Sequence, residues 1–592
     1  MMRLSVAGVL IALMLAAGIG VTAQQKPSDA AQGKSSDLAQ GKPFVPVTDE
    51  MLWKPNPADW LMWRRTLDSW GYSPLDEVNR NNVSKLKMVW TRGIGTGRTQ
   101  EATPLVYNGT MYIPNPGDVI MAMDAKTGDL KWEYRRKYPD GVNGGTNRNM
   151  AMWGTTLIDA GSDNSIYAVD ARTGNLMWET QVLDPKKRAS ASSGPIIANG
   201  KVITGRQCQP DAGNDSCIIT AHDAMTGKEL WRTRTIPLPG EPGYETWGDV
   251  PMNERWHVGT WMVPSYDPST NMIYVGTSVT IPAPKFTLAG NDKTYLYHNS
   301  TLAINADTGK IVWHYQHIVD HWDLDHPFER LLVETAIAPD PKEVAWINPK
   351  IKPGEKRKVI TGIPGKTGIV YTLDRQTGEF LWARPTVYQN VVSTIDGATG
   401  KVTVNPEVLF TAKGQTRMVC PGSNGGKNWP AGAYNPTTNI MYYPLQNMCM
   451  NATSTVDTRD PSKVYGLDMP GIIAPGAKNV GTVWAISAET GKTLWKHEER
   501  AGALSLVATG GGLVFGGDAN GRFRAFDDRS GKVLWEVNLG SPVSGFPVTF
   551  AVNGKQYVAV TTGPSLVAGS DNRITSELKP GNAANVFVFA LP

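Results

Sequence analysis

YAVDARTGNLMW, residues 167–178, carries the pattern that sets the fold. An alternating apolar run leads into Asp170, whose short carboxylate can hold the backbone of a turn. Gly174 follows Thr173 and supplies the positive φ that a tight turn needs. A second strand then ends on Trp178, which brings a large apolar area to bury. Such a hairpin cannot bury its own faces and needs copies of itself as neighbours.

The copies are present. MAMDAKTGDLKW (121–132), TAHDAMTGKELW (220–231), LAINADTGKIVW (302–313), YTLDRQTGEFLW (371–382), WAISAETGKTLW (484–495) and RAFDDRSGKVLW (524–535) repeat the pattern, with Asn305 and Ser487 replacing the aspartate in two of them. NVSKLKMVW (82–90) lacks the Thr-Gly turn but reads as one more unit, to be completed by QYVAVTTG (556–563) and NVFVFALP (585–592). Closing a ring with both ends of the chain leaves no exposed edge strand. The expectation is an all-β chain: an eight-bladed β-propeller with tryptophan-docking repeats over residues 55–592. Its tryptophans lie 40 to 113 residues apart, so the blades carry large insertions.

Composition agrees. The 592 residues include 61 glycines and 20 tryptophans, as many strands joined by tight turns require. Hydrophobic residues make up 41%, enough for a large core, and a net charge of +4 points to no nucleic acid. Residues 1–23 read as a secretory signal: Arg3, an apolar run, then VTA before Gln24. An uncleaved anchor is the alternative, since the run is near the lower limit for a span. Residues 24–54, rich in Gln, Lys, Ser, Pro and Gly, read as a flexible lead-in. No later segment reads as membrane-spanning. Export makes disulfides possible. Proximity suggests Cys208–Cys217 and Cys420–Cys449, one of three possible pairings. There is no CxxCH for a covalent haem, and no zinc-finger spacing.

DHWDLDHPF (320–328) is the chemical centre of the sequence. Three aspartates and two histidines around Trp322 suit a solvated loop, a metal site or a catalytic base. A paired-carboxylate hydrolase is disfavoured: Asp323 and Asp325 alternate and, on a strand, would face opposite sides. Asp320 reads as a loop residue, and His321, His326 and His257 as packing groups rather than ligands.

The Asp-x-x-Thr-Gly-x-x-x-Trp repeat, together with Trp322-Asp323, resembles the quinoprotein dehydrogenases. These are periplasmic eight-bladed propellers that oxidise alcohols or sugars with pyrroloquinoline quinone (PQQ) and a divalent cation. The resemblance covers essentially the whole mature chain. It implies Asp323 as the catalytic base and Lys366, in GIPGKTGIVYTLDR, as the cation beside the quinone. It implies Glu101 (TQEATPLV), Arg148 (TNRNMAMWG), Ser192 (SASSGPII) and Asn428 (CPGSNGGKNWPAGAYNP) as cofactor contacts, and Trp261 (GTWMVPSYDP) as the floor under the ring. It also pairs Cys420 with Cys449. Asp325 stands where lanthanide-using relatives, and some calcium-using ones, have a metal ligand. Asp323 and Asp325 are therefore the metal candidates, for Ca²⁺ or a lanthanide.

Each residue also has an ordinary reading. Asp323 and Asp325 could be turn formers, Arg148 a surface ion pair, Lys366 part of a hairpin turn and Trp261 core. Glu101, Ser192 and Asn428 could bond only to loop backbone.

Three departures from the family stand out. The adjacent cysteines of the alcohol-dehydrogenase branch fall near Val142 and Asn143. The metal-binding Glu expected after ITG (203–205) is not visible; Gln207, Gln209 and Asp211 are nearby. The metal-binding Asn expected after YVGT (274–277) falls near Val279.

The expected chemistry is alcohol oxidation with base-assisted hydride transfer to PQQ. The resemblance implies a substrate larger than methanol and a separate electron acceptor, a cytochrome c. A non-catalytic envelope scaffold is the alternative. It would have no reason to keep Glu101, Arg148, Trp261, Asp323 and Lys366 together.

Overall fold

The inner strands of the repeats are mostly buried on both faces, and in most repeats the fourth strand alternates. Strands such as Ser165–Asp170 are buried throughout, while Leu176–Gln181 alternates between exposed and half-buried. This is the pattern of sheets stacked face to face with one edge in solvent. The chain is described by a computed structural model over residues 43–95, 99–458 and 465–592. The leader expected over 1–23 lies outside the described residues, as does the lead-in up to residue 42.

Eight sheets share one plan. In one of them Leu105–Tyr107, Thr110–Asn115, Val119–Asp124 and Leu130–Arg135 pair in order, each antiparallel to the next. Seven more are completed by Leu176–Gln181, Glu229–Arg234, Ile311–Gln316, Phe380–Pro385, Thr493–Glu499, Val533–Asn538 and Lys87–Gly93, with Trp346–Ile347 added beyond Phe380–Pro385 and Tyr72–Ser73 added parallel to Ala503–Thr509. In the last, Lys87–Gly93 pairs with Asn585–Ala590. That strand pairs with Lys555–Thr562, which in turn pairs with Val548–Val552. The unit without the Thr-Gly turn is thus built from both ends of the chain, as its sequence suggested.

The repeats hold their turns as expected. Asp124 accepts from the amides of Lys126 (2.9 Å) and Thr127 (3.1 Å). Asn305 accepts from Asp307 and Thr308, and Ser487 Oγ from Thr490. The turn glycines also make room for a tryptophan of the preceding sheet. A Cβ on Gly128 would stand 2.5 Å from the Trp90 ring, and one on Gly174 2.6 Å from Trp132. The same contact joins Gly227 to Trp178, Gly309 to Trp231, Gly378 to Trp313, Gly491 to Trp382 and Gly531 to Trp495. Trp535 Nε1 donates to Leu86 O at 3.2 Å, just before the strand that carries Trp90. Sheet to sheet, the tryptophans run in a closed cycle.

Phe44–Pro592 forms one compact unit. Residues 44–53, expected in the flexible lead-in, are pinned. Val47 is buried and bridges Gly154, and Tyr107 donates to Val45 O. Helix α1 (Asp49–Trp53) uses its Asp49 carboxylate to accept from Gly200 N and Trp153 Nε1. The lead-in boundary therefore falls before Phe44, not at residue 54. Both disulfides form as proximity suggested, Cys208–Cys217 and Cys420–Cys449. Two insertions flank the strands Ala433–Asn435 and Ile440–Gln446; the first holds the hairpin Val392–Ile395/Val402–Val404 and the second the strand Met448–Ser454, which pairs back to Thr416–Val419 in a small sheet. Helix α2 (Leu566–Ile574), between the last two strands, starts at a Ser565 cap whose side chain accepts from Ala568 N.

Candidate active site

The 320–328 segment is a folded loop. The Asp320 carboxylate is fully buried and accepts from the amides of Trp322 (2.7 Å) and Leu324 (2.5 Å). That tight winding brings the Asp323 and Asp325 side chains to the same cavity. The expectation that they face opposite sides fails because no strand forms here. Asp320 supports the loop from within, and His321 and His326 are buried outside the cavity lining.

The cavity has a volume of about 510 Å³. Of the expected site residues, Arg148, Ser192, Trp261, Asp323, Asp325, Lys366 and Asn428 line it. Glu101 does not. It lies fully buried behind the lining, its carboxylate 2.6 Å from the Arg148 guanidinium. Arg148 also donates to Ser192 Oγ at 2.7 Å. Its guanidinium stands 5.3 Å from the Trp261 ring centroid and 5.6 Å from that of Trp429. Asn428 is braced at both ends of its amide: Nδ2 donates to Asn424 O and Oδ1 accepts from Trp429 N.

Lys366 is fixed through its backbone, with its amide on Asp325 O (2.8 Å) and its carbonyl accepting from Gly426 N (2.8 Å). Its ammonium lies 2.8 Å from Asp323 Oδ1 and 3.6 Å from Asp325 Oδ2. Burial works against that ammonium, but the two carboxylates outweigh burial and raise its pKa. Burial also pushes Asp323 up to about 7; Lys366 opposes the shift and Asp325 adds to it. Asp325 is more fully engaged, accepting from Val279 N (2.8 Å) and Trp261 Nε1 (3.3 Å). Burial likewise raises Glu101 against the pull of Arg148, and lowers His257.

Of the other lining residues, the sequence reading placed Gln207 near a metal position and His257 as a packing group, and missed Tyr465, Trp429 and those of α2. Gln207 and His257 meet at 2.9 Å (Nε2 to Nε2), and His257 Nδ1 bonds Val279 O. Tyr465 and Trp429 add aromatic surface, and α2 contributes Leu566, Val567 and Ser570. Val142 and Asn143 line an adjoining cavity of about 730 Å³, which shares Ser190 with the first.

The cavity suits a flat polyanionic quinone. Two cations, Arg148 and Lys366, face it with serine and asparagine groups, and Trp261 offers an indole beside them. The buried Arg148 Nε has no hydrogen-bond partner among the described residues. A divalent cation fits poorly. Hard cations such as Ca²⁺ take six to eight oxygen ligands. Among the described residues no group of three or more His, Cys, Asp or Glu side chains could hold a metal.

A family model described as "PQQ: Glucose/ethanol/alcohol dehydrogenase, beta-propeller domain" matches residues 60–403 and 500–558. The chain is 31% identical over 549 residues to the dehydrogenase subunit of a quinone alcohol dehydrogenase from Komagataeibacter europaeus, covering 86% of this chain and 72% of that protein. It is 31% identical over 530 residues to quinoprotein alcohol dehydrogenase PedH of Pseudomonas putida, covering 83% and 84%. It is 30% identical over 551 residues to lupanine 17-hydroxylase [cytochrome c] of a Pseudomonas species, covering 88% and 75%. Among solved structures, a europium-containing methanol dehydrogenase superposes with a TM-score of 0.80 at 26% identity, over 92% of this chain and all of that one. The propeller, the cavity and these relatives agree: the chain belongs to the PQQ-dependent quinoprotein alcohol dehydrogenase family.

Proposed function

We propose that this enzyme oxidises an alcohol larger than methanol to the aldehyde or ketone, with Asp323 as the base. The observation that carries this reading is the convergence of Arg148, Ser192, Trp261, Asp323, Lys366 and Asn428 on one cavity. PQQ, when bound, supplies the quinone that accepts hydride, two electrons and a proton's mass, from the carbinol carbon. Arg148, backed by Glu101, pairs with a cofactor carboxylate, and Ser192 and Asn428 offer hydrogen bonds. Trp261 carries the flat face of the ring. Asp323 takes the hydroxyl proton as the carbon–oxygen double bond forms. Lys366 holds the Asp323 carboxylate in place and donates to oxygen that gains negative charge. Leu566, Val567 and Tyr465 supply an apolar wall for the substrate's hydrocarbon part, which supports an alcohol larger than methanol.

In this reading residues 1–23 are a signal, and the propeller works in the periplasm. Electrons leave to a separate cytochrome c. The relative named for cytochrome c supports that acceptor. The test is reconstitution of purified protein with PQQ, followed by dye reduction over a panel of alcohols and polyols. PQQ-dependent turnover is expected, with Asp323→Asn lowering kcat by about 10²–10⁴-fold while still binding PQQ. An Asp323→Asn variant with unchanged kcat would remove Asp323 from this role.

A further inference from the structure

The residues around Lys366 disagree with a metal-dependent site. The family resemblance calls for a glutamate after residues 203–205, an asparagine after 274–277, and support from Asp325. The side chain of this region that reaches the cavity is Gln207, a neutral amide already in contact with His257 at 2.9 Å. At the second position stands Val279, fully buried and without a side-chain oxygen. Its backbone N–H instead donates to Asp325 Oδ1, and Trp261 Nε1 donates to Asp325 Oδ2. Asp325 therefore already serves as an acceptor for protein donors.

One positive charge remains at this end of the cavity. The Lys366 ammonium, 6% exposed, lies 2.8 Å from one aspartate and 3.6 Å from the other. A hard divalent ion needs several oxygen donors, whereas an ammonium needs only acceptors for three hydrogens. The Asp323 carboxylate accepts from it at 2.8 Å and Asp325 stands close enough to pair with its charge.

We infer that the enzyme binds PQQ without a metal, and that the Lys366 ammonium is the fixed positive charge at the quinone end of the cavity. This rests on the PQQ reading of the cavity given above. Two consequences follow. PQQ affinity is insensitive to chelators, and the charge at this position is covalently fixed rather than drawn from the medium.

The test uses the full mature chain, treated with EDTA and dialysed. Metal content is measured by mass spectrometry, and PQQ binding by tryptophan quenching, with and without added Ca²⁺ or La³⁺. The expected result is far less than one metal per chain, and a PQQ Kd that neither ion changes. Lys366→Met, checked for folding by circular dichroism, should weaken PQQ about tenfold or more through loss of a charge-assisted contact, and Ca²⁺ should not restore it. Stoichiometric Ca²⁺ or La³⁺, PQQ binding that appears only with metal, or a folded Lys366→Met with wild-type affinity would each overturn the inference while leaving the PQQ reading intact. Failure to bind PQQ under every condition would overturn both.

Discussion

The Arg148–Glu101 pair makes a sharp test of the cavity because its folding and binding roles can be separated. Both groups are buried, and each has lost most of its water. Removing one partner of such a pair leaves an uncompensated buried charge and costs about 3–5 kcal/mol. With an unfolding entropy of roughly 2.1 cal/mol/K per residue, that lowers the Tm of a chain of this length by only about 2–4 °C. Arg148→Met should show that loss. Glu101→Gln/Arg148→Met removes both charges, and most of the Tm should return. PQQ binding should not return, because the cofactor carboxylate then has no guanidinium. Arg148→Lys keeps a charge opposite Glu101 but cannot reach Ser192 and a ligand with one planar fork. Losing one charge-assisted hydrogen bond, about 1.5–3 kcal/mol, weakens PQQ about 10–150-fold. Differential scanning calorimetry and PQQ titration by tryptophan quenching read the two effects. A double variant that binds PQQ like the wild type would refute the role given to Arg148.

Burial pushes the Asp323 pKa up to about 7, and only its carboxylate can take a proton. Activity is therefore present above that pH and lost as pH falls through it, about tenfold per unit, so kcat/KM at pH 5 should lie roughly 100-fold below its plateau; a profile flat from pH 5 to 8 would contradict the assignment. Gly174→Ala combines positive-φ strain of about 1–2 kcal/mol with a clash against Trp132 of about 1–3 kcal/mol. Gly554→Ala, also at positive φ but with open space around it, should cost the strain alone; equal losses in chemical unfolding would mean that the tryptophan contact contributes nothing. Cys420→Ser/Cys449→Ser frees a cross-link across a separation of 29 residues and should cost about 3–4 kcal/mol, read as a lower unfolding midpoint.

The blades were legible because one local requirement recurs. Each turn needs a short polar side chain and a positive-φ glycine, written within a few residues, and each unit carries the tryptophan that covers the next turn. Even the unit at Trp90 could be placed without its Thr-Gly, because the strand before it and the last strands had no other partners. The lining of the cavity was legible only where a motif carries its own context, as at Asp323, Lys366 and Arg148. Leu566, Val567 and Ser570 were not readable, because their presence depends on where α2 packs. That placement comes from a distant network: Asp571 accepts from Asn424 (2.8 Å) and Gln446 (2.9 Å). The alternation of Asp323 and Asp325 misled for the same reason. The buried Asp320 carboxylate winds their loop, and nothing local announces that it is buried.

The closing sheet pairs Lys87–Gly93 with Asn585–Ala590, so a strand made early waits for the last. Until then Trp535 has no Leu86 carbonyl to meet, and the ring has two bare edges. The cavity depends on the same event, since its walls range from Thr146 to Ser570 along the chain. Cofactor capture is thereby placed after synthesis of the whole chain. A chain shortened by even its final strand would carry every residue that lines the cavity and still have an open ring, so truncation should abolish PQQ uptake before it removes any lining residue.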